Sequence, residues 1–291
     1  MFGKKIILLG LIFFTSVCLP QTFEGKIVAK EISLNINSVR SALMEETEAN
    51  YDESWDNLSD EELFQMQVEK LFYRNNEELK ILAMNSEDPG YEEETYSEYL
   101  SEIWVKGSKM SIWGEDQDGK YAVIFDLHSP AAYILKPDEK IVIEFDLNKF
   151  SQQTKQMMGD HTSTNEDNFS MTSTGKTKKI NGYGCTLYKG TNEDGDPQQL
   201  WVTTSIDAGL LAVFVNLMEY TSKLARILIN EKETNFYKSI GGIPIVDKHI
   251  SYDNLNISEI LSVEQITVPD SKFTVPSDYK KMSWEQMMNQ E

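Results

Sequence analysis

Between Ile103 and Phe150 the chain alternates apolar and polar residues with a period of two, in short runs separated by turn residues. Ile103 and Val105 alternate with Trp104 and Lys106; past Gly107-Ser108, Met110 and Ile112 alternate with Ser111 and Trp113. A turn at Asp116-Gln117-Asp118-Gly119 leads to Tyr121, Val123, Phe125 and Leu127, and His128-Ser129-Pro130 turns the chain into Tyr133 and Leu135. Lys136-Pro137-Asp138-Glu139-Lys140 then feeds Ile141, Ile143, Phe145 and Leu147. Such alternation between Gly, Pro and Asp turns predicts an antiparallel meander with one buried face.

Outside the meander the pattern changes several times. Phe23 to Ile36 reads as a first strand or strand pair. From Ser38 to about Tyr99 the chain reads as a helical, acidic excursion. Ser59 and Glu62 form a capping box there, and the apolar residues from Leu63 to Met84 recur at helical spacing. Ser151 to Thr177 is polar and predicts a long loop; strands resume at Lys179-Ile180 and continue through Leu187-Tyr188 and Leu200-Trp201-Val202. From Ile206 to Ile229 the spacing turns helical again. Leu210, Phe214, Leu217, Thr221, Leu224 and Leu228 make one stripe, while Asp207, Asn216, Glu219, Lys223 and Arg226 exclude a bilayer span. Gly241 to Pro244 marks a turn, Ile257 to Val268 a final strand region, and Ser283 to Gln290 a short helix.

Charge narrows the range of partners. The formal net charge is -20, and nineteen acidic residues against three basic ones lie between Glu45 and Glu102. Phosphate contacts need Lys and Arg gathered on one face, so nucleic acid is excluded as a partner, and anionic headgroups are disfavoured for the same reason. The acidic stretch reads first as a solvated, self-repelling surface and second as a surface for a basic partner or divalent cations.

The N-terminus has the three parts of a secretory signal: Lys4-Lys5, the apolar run Ile6 to Phe14, and Ser16-Val17-Cys18 before a cleavage point at Leu19. This predicts export to the periplasm or extracellular space, with no transmembrane span in the mature chain. A lipid anchor on Cys18 is the alternative, poorly matched by Val17 before it. If Cys18 is removed, Cys185 remains alone and no internal disulfide can form. Its alternating surroundings predict a small buried strand residue.

The chemical motifs fail on inspection. Asp116 to Gly119 lacks the twelfth-position glutamate of a calcium loop, since Phe125 stands there. Asn192 to Asp196 has Pro197 where such a loop needs glycine. His128, His161 and His249 are far apart, and none has a metal-type neighbour. The sequence thus points to no catalytic constellation, metal site or cofactor. Trp104 and Trp113 lie opposite Val105 and Ile112, so both faces of the early sheet carry large apolar groups. Such a sheet is either covered twice or curved around an apolar pocket.

Several segments resemble one family, the exported bacterial proteins of domain of unknown function 4412. They are Phe23 to Ile27, Val105 to Met110, Tyr133 to Lys140, Gly182 to Cys185 with Leu200 to Thr203, Gly241 to Pro244, and Phe273 to Tyr279. The resemblance implies a fold similar to the periplasmic lipoprotein carriers: α+β, mainly antiparallel β, a curved half-barrel sheet covered by helices, here with an acidic helical insertion. The expected organisation is a signal peptide at 1–18, a half-barrel at 19–37 and 100–282, the insertion at 38–99, and a helix or tail at 283–291. The family carries no assigned catalytic residues. The leading expectation is a non-enzymatic envelope protein that binds a lipid acyl chain or another apolar small molecule between sheet and helix. Trp104, Trp113, Tyr133, Trp201, Leu210, Phe214 and Leu217 are the candidate ligand-binding residues. The alternative is a structural module with a self-filled core that meets an envelope protein through its acidic surface.

Overall fold

Period-two segments dominate the chain because they pair into one sheet. The computed structural model describes residues 23–50, 52, 55, 58–86, 95–116, 119–146, 149, 168–192, 195–225, 231–283 and 286–287; the expected signal peptide, most of the polar stretch after 150 and most of the expected terminal helix lie outside them. The strands are β1 (Glu24–Asn35), β2 (Tyr96–Lys106), β3 (Lys109–Asp116), β4 (Gly119–Asp126), β5 (Ala131–Lys136), β6 (Ile141–Asp146), β7 (Ser170–Ile180), β8 (Tyr183–Thr191), β9 (Pro197–Thr203), β10 (Ile243–Ser251), β11 (Asn254–Gln265) and β12 (Lys280–Ser283). Among the described residues they form one open, half-barrel-like sheet in the order β12-β6-β5-β4-β3-β2-β1-β11-β10-β9-β8-β7. Every pair is antiparallel except β12 with β6. The α+β, mainly antiparallel class expected from the sequence is the class observed.

The helices are α1 (Arg40–Ala49), α2 (Asp60–Leu71), α3 (Asn76–Met84), α4 (Ala208–Ala225) and α5 (Glu231–Ile240). Several elements differ from expectation, α5 and β12 among them, since neither was read from the sequence. The single helix read through Met84 is two, because Asn75 caps α3 and Glu78 reciprocates in a second capping box; the first, Ser59 with Glu62, is present as read. The excursion ends before Tyr99, since β2 begins at Tyr96 and pairs Tyr96 with Leu34. Strand β7 starts at Ser170, inside the stretch read as loop. Beyond Gly241, whose φ of 61° ends α5, the chain enters β10, a strand absent from the sequence reading.

Pairing register assigns side chains to two faces, because directly paired residues in a sheet point the same way. On the first face, Val263, Ile27, Ile103, Ile112, Val123, Ile134 and Ile143 form one continuous cross-strand row. β-Branched side chains suit this surface, and full burial of each is worth roughly 1.5–3 kcal/mol. Helix α5 covers this face: Phe236 meets Tyr188 edge-on at 5.3 Å, and Tyr237 meets Phe214 of α4 at 5.2 Å.

The second face is covered twice, by different parts of the chain. Over β8–β11 lies the acidic excursion. Lys248 Nζ donates to the Arg74 carbonyl at 2.7 Å, and Asn76 Nδ2 donates to Glu259 at 3.3 Å. Phe64, Leu71, Leu79 and Leu82 of the excursion are buried with Leu34, Leu255 and Ile257 in the main core. At the other end, Phe273, Val275 and Tyr279 of the C-terminal segment cover Ala122, Ile124, Leu135 and Val142. The second cluster explains why Trp113 and Tyr133 are apolar on the face opposite the aliphatic row.

Candidate functional site

The seven residues proposed from the sequence divide between the two faces. Trp104, Ser111, Ile124 and Tyr133 share one row, and Trp113 stands in the next, paired with Ala122. Trp201 belongs to the same second face through the pairs Trp201–Val246, Val246–Glu259 and Glu259–Lys30. Leu210, Phe214 and Leu217 are on α4, which packs beside α5 over the first face. The sheet therefore separates the four aromatic side chains from the helical stripe. Lys272 Nζ sits 4.2 Å from the Trp104 ring centroid and 4.9 Å from that of Trp113, and Lys178 Nζ 4.2 Å from that of Trp201. Near Tyr133, a shallow groove of about 240 Å³ is lined by Lys109, Asp126, Ser129 and Phe273 among others.

What the first face brings together instead is polar. Tyr188, Leu200, Asp247, Ser258, Glu31 and Tyr99 occupy one row across β8, β9, β10, β11, β1 and β2. The adjoining row carries Gln198, His249, Asn256 and Ser33. Ser258 Oγ donates to the Glu31 carboxylate, Gln198 Nε2 donates to Asp247 Oδ1 at 3.0 Å, and Ser33 Oγ donates to Asn256 Oδ1 at 3.2 Å. His249 Nδ1 is 3.5 Å from Asp247 Oδ1, outside good hydrogen-bond geometry. Three buried polar atoms here have no hydrogen-bond partner among the described residues: Gln198 Oε1, His249 Nδ1 and, on the roofing helix α5, Thr234 Oγ1. Gln198 is 5% exposed and Thr234 4%, so both are shielded from bulk solvent. Each such atom costs about 1–3 kcal/mol, a cost more often retained at working sites than in inert cores.

Burial and charge oppose one another here. Burial holds the Glu31 carboxyl up at about 7 from its ordinary 4.5; the Ser258 bond and the His249 charge pull it down, while Asp247 pushes it further up. Burial works against a charged His249, yet Asp247, Glu233 and Glu31 outweigh it and raise the imidazole above its ordinary 6.5. Tyr237, fully enclosed, is kept protonated by burial and by the nearby Glu233 and Asp247 charges. Tyr121 also faces Glu31; its ring lies where a side chain on Gly114 would stand, 2.6 Å from that position. Glycine at 114 gives the ring its place.

Sequence reading misses this cluster, although one signal is available. On a strand whose apolar face is set by Ile27 and Ala29, Glu31 continues the same parity. Asp247 and His249 likewise follow Ile245 at alternate positions. Among the described residues, no three His, Cys, Asp or Glu converge to hold a metal ion. Cys185 is buried, as expected, and burial pushes its thiol pKa up. No helix among the described residues is long and apolar enough to cross a membrane.

Comparison with known proteins adds a family and little chemistry. No curated protein matches the sequence. Among solved structures, an uncharacterized conserved protein from Thermus thermophilus is similar, with a TM-score of 0.37 and 5% identity over 64% of this chain and 82% of that one. The structure of PNGF-II gives a TM-score of 0.32 and 8% identity over 91% of this chain and 32% of that one. Both likenesses are too remote to bear on function. A family model matches residues 81–279, from α3 to the C-terminal segment, and the chain belongs to that family, Domain of unknown function (DUF4412).

Proposed function

We propose that the protein is an exported, non-enzymatic envelope protein that holds an amphipathic molecule, its apolar chain lying between the first face of the sheet and α4. One observation carries this reading: a double polar row with unmet buried atoms lies on the same face as an unbroken aliphatic row, with only the Ala29 row between them. Glu31 and Ile27 are four positions apart on β1, about 13 Å at the usual strand rise, so the chain of a molecule whose polar end meets Glu31 runs that far to reach the aliphatic row. Leu210 and Leu217, 3% and 5% exposed, fill the space beneath α4, so an incoming chain displaces them. In this reading, residues 1–18 supply export, and the acidic excursion, ending before β2, forms an insertion in the β1–β2 hairpin.

Native mass spectrometry of the mature protein purified from its own envelope is expected to show a retained adduct. The delipidated protein should then bind a fluorescent acyl-chain probe with saturation. Absence of both refutes the reading.

The near-complete burial of Leu210, Val213 and Leu217 favours a second reading, a self-filled core with an envelope-protein partner on the acidic excursion. That reading predicts no saturable binding and a pull-down partner lost on deletion of residues 38–99.

A further inference from the structure

We propose that Asn181 is a self-modification site: the Asn181-Gly182 pair closes to a succinimide, opens to aspartate or isoaspartate, and so frees the tip of the β7–β8 hairpin from β11. The fold holds this reaction back until that tip opens.

The pair is suited to ring closure. Asn-Gly occurs once in the sequence, here as the two-residue turn between the paired Ile180 and Tyr183, with φ of 49° and 91°. Both residues are exposed, and nothing lies within 4 Å of where a side chain on Gly182 would begin. With no Cβ, glycine leaves its own nitrogen unscreened. That nitrogen attacks the Asn181 side-chain carbonyl carbon, and the new C–N bond closes a five-membered imide. The amide nitrogen leaves as ammonia, taking the proton that Gly182 gives up. Water then opens the imide at either carbonyl, to aspartate or, with the main chain rerouted through the side-chain carbon, to isoaspartate.

In the folded chain the leaving nitrogen is engaged. Asn181 Nδ2 donates to Glu259 Oε1 and to the Ile260 carbonyl, each at 2.9 Å. Both partners only accept, so the amide presents its NH2 to β11. Donation to two acceptors leaves electron density on the amide and makes its carbon a poorer electrophile. Both bonds must also break before the nitrogen departs.

Conversion reverses the contact. A carboxylate at 181 has no proton to donate. It sets a negative charge against Glu259, which also accepts from Asn76 of α3 at 3.3 Å. Strands β9 and β10 separate this hairpin from β11 in the sheet, so the tip reaches back over them and the two Asn181 bonds anchor it there.

The test follows the purified protein at pH 8, folded and in guanidinium chloride, by peptide mass mapping with an isoaspartate assay. The folded protein is expected to accumulate both products at position 181, several-fold more slowly than the denatured chain. No product in the folded protein, while the denatured chain converts, overturns the site; equal rates overturn the restraint. Glu259→Ala should speed the folded reaction several-fold and leave the denatured rate unchanged, and an unchanged folded rate also overturns the restraint. Where circular dichroism shows that variant unfolded, the wild-type comparison decides. Asn181→Asp, the product itself, should exchange its amide hydrogens from Lys178 to Cys185 several-fold faster than the wild type. Exchange at the wild-type rate overturns the release of the tip.

Discussion

Glu31 has a carboxyl whose pKa is higher in the folded chain, about 7, than its ordinary 4.5. Such a group stabilises the fold fully below pH 4.5, and that contribution is lost as the pH rises through 7. His249, also raised, acts with the same sign: its contribution disappears as the pH climbs past its folded value. The shift at Glu31 corresponds to about 3 kcal/mol at 1.36 kcal/mol per unit. Urea unfolding at pH 5 and pH 8 should show the wild type losing roughly that much more stability than Glu31→Gln, whose amide stays neutral throughout. Parallel slopes for the two proteins would rule out Glu31 as the titrating group. Residue-level chemistry is the least legible part of the sequence. Glu31 and Ser258 are 227 positions apart, and nothing local marks them as partners.

Legibility is higher for elements and depends on how differently their two faces are solvated. Strands β2 and β3 show a clear period of two, whereas β4, with Ala122, Val123, Ile124 and Phe125 all buried, is marked chiefly by the turns that flank it. In β10, Ile245 and Val246 are adjacent and both buried, 0% and 8% exposed, because the register against β9 shifts between Pro244 and Val246 and the sheet is covered on both sides. With both faces apolar the alternation vanishes, and the segment reads as a turn. The split between α2 and α3 is readable in principle, since Asn75 and Glu78 repeat the spacing of Ser59 and Glu62. The acidic excursion shows how strongly an element can be tied to what it covers. Its ends meet, with Asn35 N donating to Thr95 O at 3.0 Å, so a short linker could replace it without moving β1 or β2. Leu34, Leu255 and Ile257, all at most 1% exposed, would then face water. A chain with residues 38–94 replaced by a Gly-Ser linker should therefore bind an apolar dye strongly and self-associate. A monomeric, dye-silent product would mean that the helices are an appendage and not part of the core.

For the molecule as a whole, the C-terminal segment plays the corresponding part at the opposite end. Strand β12 lies parallel on β6, Lys140 pairs with Asp278 at 2.8 Å, and Lys272 caps the Trp104 and Trp113 rings. A chain ending at Pro269 should show red-shifted tryptophan emission and a Tm lower by several degrees, since it uncovers a second apolar cluster and a sheet edge. Unchanged emission would mean that the segment contributes nothing to the environment of those rings.

The first strand lies in the middle of the sheet, between β2 and β11. Hairpins such as β3–β4 close locally and early, whereas the β1–β11 ladder must wait until the last quarter of the polypeptide is available. Glu31 comes from one side of that seam and Ser258, Asp247 and His249 from the other. The buried polar cluster is thus assembled late in folding, once both ends of the chain have met.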